Sequence, residues 1–294
     1  MSTSTTIPAD LTNNKIHKNR HIDYPRIGLW IALVISCIIW AFPFFIAAFT
    51  SVKSPQALSS TPAWLPPDDI QWSNYPDAIE DGGLWRTVTN SLIISVIKVP
   101  IGLIFAAFAA FALARLKPKG FKLMLGIFAA GSMVPIQVAL GPLFNVILNL
   151  GLINTRLGLI LPYLAFGIPY QIFMMYGFFR AIPDELEESA RLDGVSTFRL
   201  FWQICIPLAK PALAALFILD FVATWNEYAI ARTLIQTQEM WTVPLAVQGF
   251  SSTYSTDYAG MNAFILMSAV PVLVVYLLFQ RYFVSGGLAG AVKG

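Results

Sequence analysis

The sequence predicts an all-α polytopic membrane protein with six transmembrane helices. Of its 294 residues, 56% are hydrophobic and only 12% are charged, and the mean hydropathy of +0.65 is too high for a soluble globular fold. Apolar stretches of roughly 20 residues recur along the chain, and each is long enough to cross a hydrocarbon core of about 30 Å. The basic residues between these stretches are unevenly distributed, and this asymmetry orients the chain in the membrane.

The N-terminal part is predicted to contain a tail, one span and a loop. Residues 1–26 are polar and lack the apolar core of a secretion signal, so they are predicted to form a cytoplasmic tail. Residues 27–49 form an apolar stretch that is too long for a signal peptide and suits a retained span. Residues 50–86 are rich in prolines, acids and tryptophans such as Trp64 and Trp72, which indicates an extracytoplasmic loop with aromatic anchors.

Residues 87–283 are predicted to form a core of five further spans, and residues 284–294 a glycine-rich cytoplasmic tail. The predicted spans cover approximately residues 88–113, 123–147, 157–179, 208–231 and 261–283. A short basic loop follows the first of these five spans. A long polar segment, residues 180–207, separates the third from the fourth.

Six spans place both termini on the same side of the membrane. The basic residues on that side are Lys15, Lys18, Arg20, Arg26, Arg115, Lys117, Lys119, Lys122, Arg180, Arg191, Arg199, Lys210, Arg281 and Lys293. Those on the other side are Lys53, Arg86, Arg156 and Arg232. Because cytoplasmic loops carry the excess of Lys and Arg, both termini and the polar segment are predicted to be cytoplasmic.

The polar segment is predicted to form two short helices joined by a glycine turn. Acidic residues in its first turn suit the positive end of a helix that Pro183 opens. Gly194 ends this helix, Ser196 caps a second one over residues 198–206, and Pro207 ends the second. Such a segment between two spans indicates a docking element at the membrane surface. A DNA-binding helix-turn-helix is excluded, because both ends are tethered to spans and the first helix is acidic.

The spacing within this segment resembles the EAA motif of ABC importer permeases. The matching residues are Glu188, Ser189, Ala190, Asp193, Gly194, Ile204, Ile206 and Pro207. Ser189 replaces the first alanine of the motif and Ile206 replaces its leucine, and both changes are conservative in size. Further matches are residues 176–179, 182–183 and 225–227, Pro271, and residues 290–294. Over residues 84–294 the chain is therefore similar to carbohydrate importer permeases of the MalG type.

The resemblance implies the type I ABC importer transmembrane fold and the function of a permease subunit in the bacterial cytoplasmic (inner) membrane. Such a subunit moves a sugar, here an oligosaccharide, glycoside or sugar derivative, by alternating access. Residues 188–196 would form a coupling helix seated in a cytoplasmic ATPase, with Glu188 facing a basic group there. The tail residues Gly290, Lys293 and Gly294 would reach between the ATPase subunits.

The resemblance also implies the partners of the chain. These are a second, related permease subunit in a heterodimer, a dimer of ATPase subunits, an extracytoplasmic sugar-binding protein and membrane lipid, with no nucleic acid. The ATPase subunits would bind ATP and Mg and carry out the hydrolysis. The chain itself is predicted to bind no cofactor and to be no enzyme.

The residues themselves agree that this chain has no catalytic or metal site. The two histidines, His17 and His21, both lie in the N-terminal tail, so the spans can hold neither a His-based triad nor a zinc site. The C-terminal sequence GGLAGAVKG lacks the Gly-Lys-Ser/Thr of a phosphate-binding loop. Any nucleotide must therefore be bound by another chain.

Ionisable residues within the spans indicate function, because they are costly in a bilayer. Lys98 and Asp220 both fall near the middle of their spans at about 1.5 Å rise per residue, so they are predicted to form a buried charge pair or to share a polar cavity. Asp220, Thr224 and Glu227 recur on one helical face. The residues predicted to line a translocation path are Asp220, Thr224, Trp225, Asn226 and Glu227. Anchoring at the membrane interface explains Glu227 equally well.

An ion-coupled secondary sugar carrier is the alternative function, with Lys98, Asp220 and Glu227 as its relay. Such carriers usually contain inverted repeats, which are not visible in this sequence, and they need no acidic docking segment.

Overall fold

The computed structural model describes residues 24–252 and 254–291, and in these residues every regular element is helical. An isolated bridge joins Ser251 and Thr256. The α-helices are α1 (Tyr24–Ser51), α2 (Pro55–Ser60), α3 (Asn74–Asp81), α4 (Leu84–Phe111), α5 (Phe121–Ser132), α6 (Ile136–Asn149), α7 (Arg156–Ala181), α8 (Asp184–Leu192), α9 (Thr197–Arg199), α10 (Ile206–Trp225), α11 (Ala229–Leu234), α12 (Val243–Gly249), α13 (Tyr258–Ser268) and α14 (Val270–Ala291). Wider π-helical turns follow α4 (Ala112–Leu116) and α9 (Leu200–Cys205), and a short 3-10 turn covers Gln238–Met240.

Helix α1 begins in one compact unit, which ends at Phe45, and continues into a second unit, Ile46–Gly294. In the first unit its large apolar side chains, such as Trp40 and Phe44, are exposed. A helix that is apolar on all sides is typical of a membrane span. The other helices all belong to the second unit.

Five helical stretches of the described residues are long and apolar enough to cross a membrane: residues 28–51, 84–116, 156–181, 197–225 and 258–282. A sixth candidate consists of α5 and α6, which are bent by 95° at the break between them. Together these stretches agree with the predicted six spans when the bent pair counts as one.

The predicted third span, residues 123–147, is therefore not one continuous helix. Pro135 lies at the break with an extended backbone conformation (ψ 128°) and precedes α6. Proline removes a backbone donor and disfavours helical geometry in the residue before it, so Val134 cannot continue α5.

The second helix of the polar segment also departs from the prediction, because Pro207 does not end it. Thr197–Trp225 form one helical stretch of 29 residues, in which a π-helical turn precedes α10. Within this turn the N–H of Ile206 bonds the carbonyl of Phe201, five residues back. The wider turn gives the ring of Pro207 room, so the helix passes through the proline.

Helix α4 lies at the centre of the second unit and packs against α7 and α10. Its alanines at positions 106, 107 and 110 are fully buried, which allows the helices to approach closely. Near its C-terminal end, Phe111 packs edge-on against Phe179 of α7 and Phe201 of the π-helical turn, with ring centroids 6.0 and 5.1 Å apart. The core thus joins the polar segment to the spans on both sides of it.

The two ends of α4 have different neighbours. Near its N-terminal end, the Asn90 amide donates to the carbonyls of Glu239 (2.9 Å) and Trp241 (3.0 Å) and accepts from Arg156 at the start of α7. Near its C-terminal end, Arg115 contacts the end of α7 and the start of α8. The loop around residue 240 and the polar segment therefore lie at opposite ends of the spans.

Candidate functional site

The first candidate site is the Arg115 cluster, which consists of Arg115, Asp184, Glu187 and Arg191. The Arg115 side chain is 5% exposed, and its Nη1 pairs with Asp184 and lies 3.6 Å from Oε2 of Glu187. Its Nη2 donates to the carbonyls of Phe179 (2.6 Å) and Ile182. Glu187 also pairs with Arg191 one turn later, at 2.6 Å. One guanidinium thus joins the ends of three helices.

The chemistry of these helix ends explains why an arginine lies here. The last carbonyls of α7 have no intrahelical partner and carry the negative end of its dipole, and a cation satisfies both needs. The acidic side chains of α8 lie in its first turn, at its positive end. The planar guanidinium can donate to carbonyls and carboxylates at the same time, whereas the ammonium of a lysine is a point charge without this fork of donors. Arg115 therefore attaches α8 to the ends of α4 and α7.

The residues of the EAA-like motif occupy both helices of the polar segment. Glu188, Ser189 and Asp193 are exposed, whereas Ala190 is buried. Within the described residues, Glu188 makes no ion pair or side-chain hydrogen bond, and it borders a hollow of about 220 Å³ beside Arg115. Ile204 lies in the π-helical turn, partly buried against the core.

Gly194 forms the turn between α8 and α9. Its φ of +75° is a left-handed conformation that favours glycine. Its N–H donates to the carbonyl of Arg191, and the next N–H, of Val195, donates to that of Ala190, both at 3.0 Å, so the last carbonyls of α8 are satisfied. Ser196 then caps α9 by accepting from the N–H of Arg199. The predicted glycine turn and serine cap are confirmed.

Large apolar side chains on both sides of this turn are exposed, and the sequence analysis did not identify them. The exposed fractions are 45% for Leu186, 89% for Leu192, 67% for Phe198 and 43% for Trp202. Apolar residues that flank a charged turn and are not buried by their own chain are typical of a protein contact. In the sequence, these residues are the apolar positions of a segment that is otherwise polar.

The second candidate site is in the middle of the spans, where Lys98 of α4 pairs with Asp220 of α10. The Lys98 ammonium donates to Oδ1 of Asp220, and their side chains are only 3% and 12% exposed. The backbone of α7 approaches this pair at Gly167, where an added Cβ would lie 2.8 Å from the Lys98 nitrogen. Because residue 167 has no side chain, the Lys98 ammonium lies against the backbone of α7 without a clash.

This pair lies in the wall of the Asp220 cavity, a cavity of about 220 Å³. Its lining residues are Lys98, Ile136, Tyr163, Phe166, Gly167, Tyr170, Asp220, Ala223, Thr224, Glu227 and Ile230. The stripe formed by Asp220, Thr224 and Glu227 therefore faces one cavity, as its helical spacing indicates. The tyrosines of α7 were not identified from the sequence, although their seven-residue spacing places them on one helical face.

Glu227 has a structural role that neither interpretation of the sequence included. One of its oxygens accepts from the Tyr163 hydroxyl (2.6 Å) and the Ala231 N–H (3.1 Å), and the other accepts from the Ile230 N–H (2.8 Å). Ile230 and Ala231 lie in the first turn of α11, whose N–H groups need acceptors. Glu227 thus caps α11 and attaches it to α7.

Two of the residues predicted to line the path lie outside the cavity. Trp225 is 3% exposed and stacks on Phe221 in the core, with ring centroids 5.7 Å apart. Asn226 is exposed at the end of α10 and donates to the carbonyl of Val222. Side chains at adjacent helical positions point about 100° apart, so neither shares the face of Asp220 and Thr224.

The other predicted site residues lie at the C-terminus. Gly290 is in the last turns of α14, whereas Lys293 and Gly294 are outside the described residues. Within the described part of the chain, no group of three or more His, Cys, Asp or Glu residues could hold a metal ion.

Comparisons with known proteins show the family of the chain. The model of the family described as "Binding-protein-dependent transport system inner membrane component" matches residues 98–286. A diacetylchitobiose uptake system permease protein of Streptomyces coelicolor is 35% identical over 262 residues, which is 88% of this chain and 84% of that protein. A melibiose/raffinose/stachyose import permease protein of Bacillus subtilis is 33% identical and covers 92% of this chain and 97% of its own length.

A solved structure has the same architecture. It is a bacterial ABC transporter involved in the import of the acidic polysaccharide alginate, with a TM-score of 0.73 and 27% identity over 88% of this chain and 96% of that chain.

Proposed function

The chain belongs to the family of binding-protein-dependent transport system inner membrane components, and on that premise we propose that it is the permease subunit of an ATP-driven sugar importer. The substrate is an oligosaccharide, a glycoside or a sugar derivative, and the relatives named for sugar uptake support this class. Transport proceeds by alternating access of the spans. ATP and Mg are bound by separate ATPase subunits.

The observation that carries the proposal is the rigid attachment of an exposed docking element to the spans. The polar segment presents Glu188, Leu192 and Phe198 to a partner, whereas Arg115 holds the base of α8 against α4 and α7. A protein surface with exposed apolar residues and exposed carboxylates that have no ion pair, such as Glu188, suits a cleft that has a basic group. In this proposal the cleft belongs to the ATPase, and the polar segment lies in the cytoplasm.

The connections of the segment define how displacement reaches the spans. When the ATPase dimer closes, it pushes α8, and Arg115 transfers the movement to the ends of α4 and α7. The second helix of the segment is continuous with α10, so the same push moves the helix that holds Asp220. The Asp220 cavity is formed by α4, α7 and α10 together with α6 and α11, and it changes shape when the first three move.

The opposite end of the spans receives the extracytoplasmic sugar-binding protein. Trp72 and Tyr254, which are 66% and 97% exposed, are two of the exposed aromatic residues there. A second, related permease completes the membrane part of the importer. The C-terminal residues Gly290, Lys293 and Gly294 reach between the ATPase subunits.

Replacement of Glu188 tests the proposal. In the importer coexpressed with its partner permease, ATPase and binding protein, Glu188→Lys places like charges in the contact and should abolish sugar uptake and the stimulation of ATP hydrolysis. Insertion of the chain into the membrane should be unchanged. Glu185→Lys is the matched control, because Glu185 is also exposed on α8 but lies outside the motif. Normal uptake by the Glu188→Lys importer would contradict the proposed docking.

The ion-coupled secondary carrier is tested in the same cells. A relay through Glu227 would require this carboxylate to release its hydrogen-bond donors during transport, although three of them hold it. Deleting the ATPase subunit should abolish uptake, whereas an uncoupler at constant ATP should leave uptake intact. The reverse pattern would favour the carrier.

A further inference from the structure

We propose that the Asp220 cavity is a subsite for one ring of the transported sugar, and that it accepts neutral sugars and disfavours sugars that carry a carboxylate. The inference rests on the proposed function and names the substrate class of this chain's own site. It draws on three observations: an unpartnered carboxylate oxygen, an aromatic wall beside free hydroxyl groups, and the charge balance of the lining.

The unpartnered oxygen is Oδ2 of Asp220. Oδ1 is held by Lys98, whereas Oδ2 is buried and has no hydrogen-bond donor in the described part of the chain. A buried carboxylate oxygen without a donor is costly, so the site needs a donor from outside the chain. A sugar hydroxyl is such a donor. Because Oδ2 is buried in this conformation, the hydroxyl reaches it when the cavity changes shape during transport.

The cavity wall has further groups that suit a sugar ring. The hydroxyls of Tyr170 and Thr224 make no hydrogen bond within the described residues, so both can bind ligand hydroxyls. The rings of Phe166 and Tyr170 provide apolar faces for the C–H groups of a pyranose. At about 220 Å³, the cavity is below the roughly 300 Å³ at which pockets for larger ligands begin. It therefore suits one ring rather than a whole oligosaccharide.

The charges of the lining exclude acidic sugars. Lys98 is the one cation in the lining, and Asp220 and Glu227 are its two carboxylates. The ammonium is already paired with Asp220, so the net charge is that of one carboxylate. A uronate ring would add another carboxylate beside this net negative charge, and repulsion between like charges disfavours it. A neutral ring meets no such barrier.

Cysteine protection tests the subsite directly, without the binding protein. Thr224→Cys is introduced into a chain with Cys37→Ser and Cys205→Ala, and the assembled importer is labelled with N-ethylmaleimide. We expect melibiose, trehalose or diacetylchitobiose at high concentration to slow labelling of residue 224 at least threefold, and a diuronate from alginate to leave it unchanged. Asn226→Cys is the matched control, since Asn226 lies outside the cavity. Failure of all three neutral sugars would overturn the subsite, and equal protection by the diuronate would overturn the charge selection.

Transport stoichiometry separates this proposal from the proposed function. Tyr170→Phe and Thr224→Val should each lower sugar uptake about fivefold, the effect of one lost hydrogen bond, while ATP hydrolysis stimulated by the loaded binding protein is retained. Phe173→Ala is the control, an exposed aromatic residue of α7 that does not line the cavity. Equal losses of uptake and hydrolysis would mean a purely structural role and overturn the subsite. If the wild-type importer moved no sugar with ATP, the proposed function itself would fail.

Discussion

The Lys98–Asp220 pair and the Arg115 cluster are both ion-paired, but their surroundings differ. Lys98 and Asp220 have one ionic partner each and lie almost wholly within the protein. Arg115 has four acceptors, and one of them, Asp184, has a side chain that is 75% exposed. The inner pair depends on charge balance, because an unpaired charge there has no solvent to stabilise it. The Arg115 cluster, here called the outer cluster, has two acids that can pair with Arg115. Arg115 alone binds the carbonyls of Phe179 and Ile182.

The largest effect is expected from breaking the inner pair on one side. Lys98→Met leaves Asp220 buried and unpaired, which should destabilise the chain by about 3–5 kcal/mol. The double variant Lys98→Met, Asp220→Leu leaves no charge and should recover most of this loss. Membrane levels and thermal unfolding of the purified importer measure both. Equal damage from the single and double variants would show that the pair does not act as a unit.

The outer cluster should respond next most strongly, and most of all to loss of Arg115. Arg115→Ala removes the donors to the carbonyls of Phe179 and Ile182, and we expect a loss of about 2 kcal/mol. Sugar uptake should fall by more than the loss of stability alone explains, because α8 is no longer attached to α4. Arg115→Lys should rescue only part of the uptake, since an ammonium cannot replace the planar fork. Lys119→Ala, at an exposed lysine of the same loop, is the control for charge. Wild-type uptake by Arg115→Ala would contradict the attachment.

Packing around the inner pair can be changed without removing a charge. Gly167→Ala places a methyl group 2.8 Å from the Lys98 nitrogen and should cost about 1–3 kcal/mol, because the helices or the ammonium must shift. Gly177→Ala is a matched control on the same helix, with no atom within 4 Å of the added Cβ. That control should be neutral or slightly stabilising. Thermal unfolding of both variants checks the difference, and equal melting temperatures would mean that α7 does not constrain the pair.

The smallest effect is expected from the exposed acid of the outer cluster. Asp184→Asn should cost less than about 1 kcal/mol, because water and salt screen a side chain that is 75% exposed. Glu187→Gln should cost more, since Glu187 is 15% exposed and faces both Arg115 and Arg191. Thermal unfolding of both variants, measured at low and at high salt, shows which variant loses more stability. A larger loss for Asp184→Asn would mean that the cluster is not redundant.

Local patterns predicted the parts of both sites that depend on neighbours in the chain. Gly194 and Ser196 form a turn and a cap with residues at most four positions away. Asp220 and Thr224 face the same cavity because one helical turn separates them. The depth of Lys98 and Asp220 in their spans placed them at the same level of the membrane, and their side chains form an ion pair in the structure.

Distant partners were not predictable in this way. The sequence indicated Arg115 only as one of several basic loop residues, and its four partners lie between 64 and 72 positions further along the chain. The sequence predicted Glu227 to line the path or to anchor at the interface. Its hydrogen bond with the Tyr163 hydroxyl comes from another helix. Nothing in the immediate sequence of either residue specifies which helix end will be packed against it.

The sequence by itself determined that the chain spans a membrane and which stretches are apolar enough to do so, because length, apolarity and charge are properties of short stretches. Only the tertiary structure decided how each proline acts. Pro135 bends its span by 95°, whereas Pro207 lies within a continuous helix, since a π-helical turn gives its ring room. The tertiary structure also decided which charges meet, because helices distant in sequence supply the partners that a buried charge requires.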